Sequence, residues 1–258
     1  MAVTIAMVNQ KGGVGKTTSA VNLTAALTLA GKRALLCDFD PQANATSGLG
    51  VEKSQCAHSS YDVVINGVSL TDVIVHTQFG DLVPSSAALS GAGVELIGLP
   101  NRETQLKTAL ACVQDEYDYI LIDCPPSLEL LTLNALCAAD RILVPVQCEY
   151  YALEGLSDLM TTLRAVKRSF NPSLDILGVL LTMFDGRTNF SMQVAEEVRR
   201  HFPGKVFASV IPRNVRLSEA PSHGLPIFAY DRMSRGAIAY QALAQELIAR
   251  QSAVAAAR

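Results

Sequence analysis

The chain has 258 residues, enough to bury one large core or two small ones. With 49% apolar and only 17% charged residues it is not a disordered chain, and a formal net charge of −3 argues against a generic nucleic-acid binder. The six cysteines, at 37, 56, 112, 124, 137 and 148, form no Cys-x-x-Cys pair and mostly fall in apolar runs, so they fit a reducing compartment and not a disulfide scaffold.

The beginning lacks a basic segment followed by a long apolar stretch, and no apolar run approaches the roughly 20 residues of a membrane span. A cytoplasmic protein is expected. A strand-like run at 3–8 leads into Asn-Gln-Lys-Gly-Gly-Val-Gly-Lys-Thr-Thr at 9–18, and a helical pattern covers 16–30. Strand, glycine-rich turn and helix, in that order, are the setting of a phosphate-binding loop. The strict pattern G-x-x-x-x-G-K-[ST] fails, because position 10 is Gln. The physical parts are nonetheless present. Gly12, Gly13, Val14 and Gly15 let amides turn inward, Lys16 faces the phosphates, the Thr17 hydroxyl is placed to ligate Mg²⁺, and Thr18 follows it.

A second strand is predicted at 34–39, within Leu-Leu-Cys-Asp-Phe-Asp-Pro-Gln, so Asp38 and Asp40 lie at the carboxyl edge where nucleotides bind. A carboxylate there can orient an attacking water. Residues 51–93 are the least periodic, with one short strand expected at 82–84. A helix at 102–114 precedes a strand at 119–123, whose last residue, Asp123, suits a Walker B-type carboxylate holding Mg²⁺ through water. A helix cap or a solvated turn is the alternative use for that carboxylate.

Further helices are predicted at 128–138, 153–169, 191–202 and 235–251, the last with Ser234 as N-cap, and further strands at 142–146, 176–183 and 206–210. Near-continuous Val/Ile/Leu strands between helices imply a mainly parallel twisted sheet of about seven or eight strands with helices on both faces. No linker or repeat divides the chain, so a single α/β domain over 1–258 is expected. Charge is uneven along it. Residues 1–183 carry 11 Lys/Arg against 18 Asp/Glu, whereas 184–235 carry 8 against 5, so a basic region sits on an acidic body.

Lys-Gly-Gly-Val-Gly-Lys-Thr at 11–17, Asp-Phe-Asp-Pro-Gln at 38–42 and Asp-Cys-Pro-Pro at 123–126 closely resemble the deviant Walker A ATPases, the ParA/MinD superfamily. The resemblance continues through the blocks MFDGRTNFSMQVAEEVRRHF, VIPRNVRLSEAPSHGLPI and YDRMSRGAIAYQALAQEL, and is nearest to the chromosomal ParA, or Soj, branch over nearly the whole chain. It implies an ATPase that turns ATP into ADP and phosphate slowly, forms an ATP-bound homodimer on non-specific DNA at the nucleoid, and is released by hydrolysis that a ParB-type partner stimulates. Chromosome or plasmid segregation is the implied purpose.

Lys11 matches the signature lysine that reaches phosphates held by the other subunit. A lysine before the first glycine points away from its own cradle, and in trans it acts like an arginine finger. Gly12 matches a position kept small for close subunit approach, and Asp40 the carboxylate needed for hydrolysis. Pro212 and Asn214 match the segment that holds adenine, and Arg187 and Arg216 the sequence-independent DNA surface. These two arginines lie in predicted loops without acidic neighbours at helical spacing, whereas Arg199 and Arg200 can pair with Glu196 and Glu197.

Other branches fit less well. MinD-like membrane attachment needs a basic amphipathic C-terminal helix, and AQELIARQSAVAAAR is alanine-rich. Cys124 lacks the glycine-rich surroundings of a cluster-bridging cysteine in the nitrogenase iron-protein class. A C-terminal Cys-x-x-Cys for a cluster scaffold is absent, and only Tyr240 is near the tail for a tyrosine kinase. Length and the Ile-Pro-Arg-Asn block argue against a cobyrinic-acid synthetase.

Overall fold

In chain order the strands are β1 (Val3–Met7), β2 (Ala34–Asp38), β3 (Val75–Thr77), β4 (Gly80–Val83), β5 (Tyr119–Asp123), β6 (Arg141–Gln147) and β7 (Asp175–Thr182). The helices are α1 (Lys16–Leu29), α2 (Asn44–Gly48), α3 (Leu89–Glu95), α4 (Gln105–Leu110), α5 (Leu130–Ala138), α6 (Ala152–Ser169), α7 (Asn189–His201), α8 (Val215–Glu219), α9 (Ile227–Tyr230) and α10 (Arg235–Ala256). They come from a computed structural model that describes residues 1–149 and 152–256.

The strands form one sheet in the order β3-β4-β2-β5-β1-β6-β7, parallel throughout except for the β3–β4 hairpin. Alternate side chains of each strand enter two separate cores, as a pleated strand requires. Ile5, Met7, Leu36 and Leu121 pack with α1 and α10 on one face. Ala6, Leu35, Cys37, Ile120 and Ile122 pack on the other, with α3 to α7. Both faces are therefore covered, and the apolar strands need no polar side.

Helix α1 starts directly on the glycine-rich turn and ends in a Schellman motif. The Gly31 amide reaches Thr28 O at 2.9 Å, the Lys32 amide reaches Leu27 O at 3.0 Å, and Gly31 takes the left-handed φ of 77° that this stop needs. At α10 the Ser234 hydroxyl accepts the Ala237 amide at 3.1 Å, so the expected cap forms. The tail of that helix reaches residue 256, and 257–258 lie outside the described residues, as do Tyr150 and Tyr151.

Three expectations change. The helix expected at 102–114 is shorter, with α4 followed by a 3₁₀ turn at Ala111–Val113. The strand expected at 206–210 does not form. That segment runs beside β7, with Phe207 N bonded to Val179 O at 2.9 Å, but the Ala208 and Ser209 amides turn to the Glu246 carboxylate of α10, both at 2.9 Å. A carboxylate taking two consecutive amides removes the alternation that a ladder needs. The seventh strand is instead β3, hidden in the aperiodic stretch 51–93, where the hairpin turns tightly enough to put Gly80 at φ 116° against Thr24.

All six cysteines are free, with Cys37, Cys124, Cys137 and Cys148 buried. Among the described residues no helix is long and apolar enough to cross a membrane.

Candidate phosphate-binding site

The carboxyl ends of β1, β2 and β5 meet beneath the loop at 8–15. Asn9 anchors its start, donating to Pro145 O at 2.7 Å and accepting the Lys11 amide at 3.0 Å. Gly13 and Gly15 have φ of 73° and 87°, the left-handed conformation from which a loop can turn successive amides toward one anion. At the far end Thr182 of β7 donates to Val14 O at 2.8 Å. A preformed anion cradle results, continuous with the N-terminus of α1.

Lys16 opens α1 and is only 6% exposed, with its ammonium 3.1 Å from Lys11 O. Burial lowers its pKa, while Asp123, Cys124 and Asp40 pull it back up. Asp123, the last residue of β5, is fully buried, and among the described residues neither of its carboxylate oxygens makes a hydrogen bond of good geometry, the Thr17 hydroxyl being the donor at hand. Burial first and Asp38 second push its pKa well up, whereas the Thr17 hydroxyl and Lys16 favour the ionised form. Asp38 is its register partner on β2, about one strand spacing (~4.8 Å) away. Burial also raises Asp38, to about 6, against hydrogen bonds from Thr46 and Asp40.

A buried carboxylate with no partner is costly unless a cation neutralises it. Asp123 beside the half-buried Thr17 therefore fits a hydrated divalent ion held mainly by water and phosphate oxygens. Among the described residues no group of three His, Cys, Asp or Glu could hold a metal alone.

Asp40 follows β2, is 7% exposed, and its Oδ1 accepts the Gln42 amide at 2.9 Å, which ties one carboxylate oxygen to the turn. Lys11 is not a free surface lysine. Its ammonium meets Glu149 Oε2 at 2.7 Å, and Gln147 bonds the other oxygen of that carboxylate. Among the described residues a Cβ at Gly12 would meet nothing nearer than Pro126 at 3.9 Å, so none of them requires glycine there.

Beside the cradle lies a cleft of about 590 Å³ between Thr18, Pro212, Asn214 and the buried Tyr240. Pro212 and Asn214 are thus brought to the phosphate loop. Asn214 spends its side-chain oxygen capping α8, accepting the Arg216 amide at 2.8 Å, which leaves its NH₂ group free to donate elsewhere.

The two DNA candidates differ from expectation, since both have acidic partners. Arg187 makes a bidentate pair with Asp185, at 2.9 and 2.7 Å. Arg216 pairs with Glu219 at 2.9 Å and Asp231 at 3.5 Å. Arg200 pairs with Glu197 as expected, while Arg199 has no ion pair among the described residues. Arg213 and Arg235, also without an ion pair among the described residues, line the same cleft as Arg187.

Sequence inspection missed Glu149, Thr182, Thr46 and Ser85. Only Thr46 had a local signal, lying within the block that follows Asp40.

A family model described as an AAA domain matches residues 2–176. The chain is 56% identical over 247 residues to the sporulation initiation inhibitor protein Soj of Bacillus subtilis (strain 168), spanning 95% of this chain and 98% of that one. It is 52% identical over 250 residues to the chromosome partitioning protein ParA of Myxococcus xanthus (strain DK1622), spanning 96% and 88%. Among solved structures, cobyrinic acid a,c-diamide synthase from Mycobacterium smegmatis with bound ADP and magnesium superposes with a TM-score of 0.86 at 37% identity, over 98% of this chain and 96% of that one. Length therefore does not separate this chain from a protein bearing that name, contrary to expectation.

Proposed function

The chain belongs to the Soj/ParA family of chromosome-partitioning ATPases, and from that premise we propose that it binds ATP with Mg²⁺, pairs with a second copy, and lies on DNA without sequence preference until hydrolysis releases it. The observation that carries the nucleotide chemistry is the buried Lys16 close to the buried Asp123 carboxylate, at the end of a loop whose Gly13 and Gly15 take left-handed φ. Relatives solved with ADP or an ATP analogue and magnesium support the same ligand.

The cradle amides and Lys16 hold the β- and γ-phosphates, and the cleft lined by Pro212 and Asn214 takes the adenine. Magnesium, when bound by Thr17 and through water by Asp123, neutralises charge building on the phosphates. Asp40 accepts a hydrogen bond from the attacking water and aims it at the γ-phosphate. Lys11 acts in trans. It leaves Glu149 and reaches the partner copy's phosphates, while Gly12, which no described residue crowds, leaves room for that partner. ATP thereby becomes a dimerisation switch, and a ParB-type protein speeds its discharge at the nucleoid.

DNA binding is assigned to the basic region at 184–235, with Arg187 and Arg216 exchanging a carboxylate for a DNA phosphate. Their ion pairs are exposed, so breaking them costs folding little. Arg187→Glu or Arg216→Glu is expected to weaken binding of the ATP state to unrelated duplexes, with basal hydrolysis near wild type. The slope of log affinity against log salt should fall by roughly 0.9 for each phosphate that the variant no longer neutralises. A salt series with ATP and with ADP measures this. Unchanged affinity in both variants, or a marked preference for one duplex, would assign the basic region another use.

A further inference from the structure

Four buried residues beside the phosphate cradle close a ring of hydrogen bonds. Asp38 Oδ2 accepts the Thr46 hydroxyl and the Thr46 amide, each at 2.7 Å. The Thr46 oxygen accepts the Ser85 amide at 3.0 Å, and the Ser85 hydroxyl donates to Asp40 O at 2.8 Å. The Asp40 amide returns to Asp38 Oδ1 at 3.3 Å. All four residues are at most 7% exposed.

The polarity of the ring is fixed. The Ser85 amide can only donate, so the Thr46 oxygen accepts it and sends its single proton to Asp38. Within a low-dielectric setting such a chain of bonds is mutually strengthening, and breaking one member strands another.

Two other bonds at Asp40 are local, from the Gln42 amide to its carboxylate and from the Ala43 amide to its carbonyl, both at 2.9 Å. Local bonds shape the turn without saying where it sits on the sheet. The ring does that. It ties the loop to β2 through Asp38 and to the end of β4 through Ser85, 45 residues away in sequence. It also supplies what the short helix α2 lacks. Its N-cap is Ala43, which has no accepting side chain, and Asp38 takes the Thr46 amide in its place.

We propose that Thr46 and Ser85 are positioning residues for hydrolysis, holding the Asp40 loop so that its carboxylate meets the attacking water. This rests on Asp40 as the water-orienting group. Neither residue lies on the loop that cradles phosphate, so the effect falls on the chemical step and spares nucleotide affinity. Misplacement of a reacting group by about 1 Å can cost about a hundredfold in rate. Loss of one strut is milder and loss of the hub larger.

The test is single-turnover phosphate release with ATP and Mg²⁺, alongside ATP affinity by titration, in Ser85→Ala, Thr46→Val, Thr46→Ser and Asp40→Ala. Expected are release slowed about fivefold in Ser85→Ala and more than tenfold in Thr46→Val, ATP affinity within about twofold of wild type, and near-complete rescue in Thr46→Ser, which keeps the hydroxyl. Ser85→Ala removes only the bond to Asp40 O and carries the test if Thr46→Val does not fold. Wild-type release in Ser85→Ala and Thr46→Val beside an inactive Asp40→Ala would overturn the proposal alone. Affinity falling in step with rate would overturn it too, by assigning the ring to the fold. Full activity in Asp40→Ala would instead remove the role of Asp40, and the ring's purpose with it.

Discussion

Lys16→Ala is expected to abolish ATP binding at concentrations that saturate the wild type. The ammonium is 6% exposed and already partly desolvated, so it meets an arriving phosphate without shedding a full hydration shell. Hydrogen bonds to charged groups contribute about 1.5–3 kcal/mol each, and an ammonium that serves two phosphate oxygens takes both with it, a drop in affinity of roughly a hundredfold to ten-thousandfold. The backbone cradle remains in the variant, but it offers dipoles where the triphosphate needs a full charge. A thermal titration reads the result directly. ATP at a hundred times its dissociation constant should stabilise the wild type by about 2.7 kcal/mol and leave the midpoint of Lys16→Ala unmoved. An equal shift in both proteins would contradict the assignment of the loop.

Asp40→Ala is expected to bind ATP about as tightly as wild type and to hydrolyse it at least about a hundredfold more slowly, the scale on which a positioned acid or base contributes. Affinity is spared because the substitution removes a negative charge from a site that must accept phosphates. The backbone bonds of the ring through Ser85 and Asp38 do not involve the deleted carboxylate, so the loop keeps its place. The variant should accumulate as an ATP-bound species that leaves DNA slowly. Phosphate release at the wild-type rate, with DNA and a ParB-type protein present, would show that Asp40 does not orient the water.

The phosphate loop was legible because its chemistry must be contiguous, with glycines, Lys16 and Thr17 all on one turn. Asp38, Asp40 and Asp123 were legible as carboxylates ending apolar strands, and the sheet then brought them together. What stayed hidden depends on pairings distant in sequence. Glu149 reaches Lys11 across 138 positions and Thr182 reaches Val14 across 168, and neither carries a local pattern. The strand β3 has three residues, too few for alternation to register. Residues 206–210 look like a strand because they are apolar and β-branched, but Glu246 of α10 captures two of the amides. The partners of the two arginines were hidden for a different reason. Glu219 stands three residues after Arg216 on the five-residue helix α8, which is too short to announce its spacing, and Asp185 reaches Arg187 only because the loop turns back on itself.

The role of Lys11 in making ATP a dimerisation switch is tested most directly by sedimentation of hydrolysis-blocked protein. Asp40→Ala with ATP and Mg²⁺ should sediment as a dimer, and with ADP as a monomer. Adding Lys11→Ala should keep ATP bound, because Lys16 and the cradle are intact, yet return the protein to the monomer. A double variant that still sediments as a dimer with ATP would contradict the role of Lys11 across the interface.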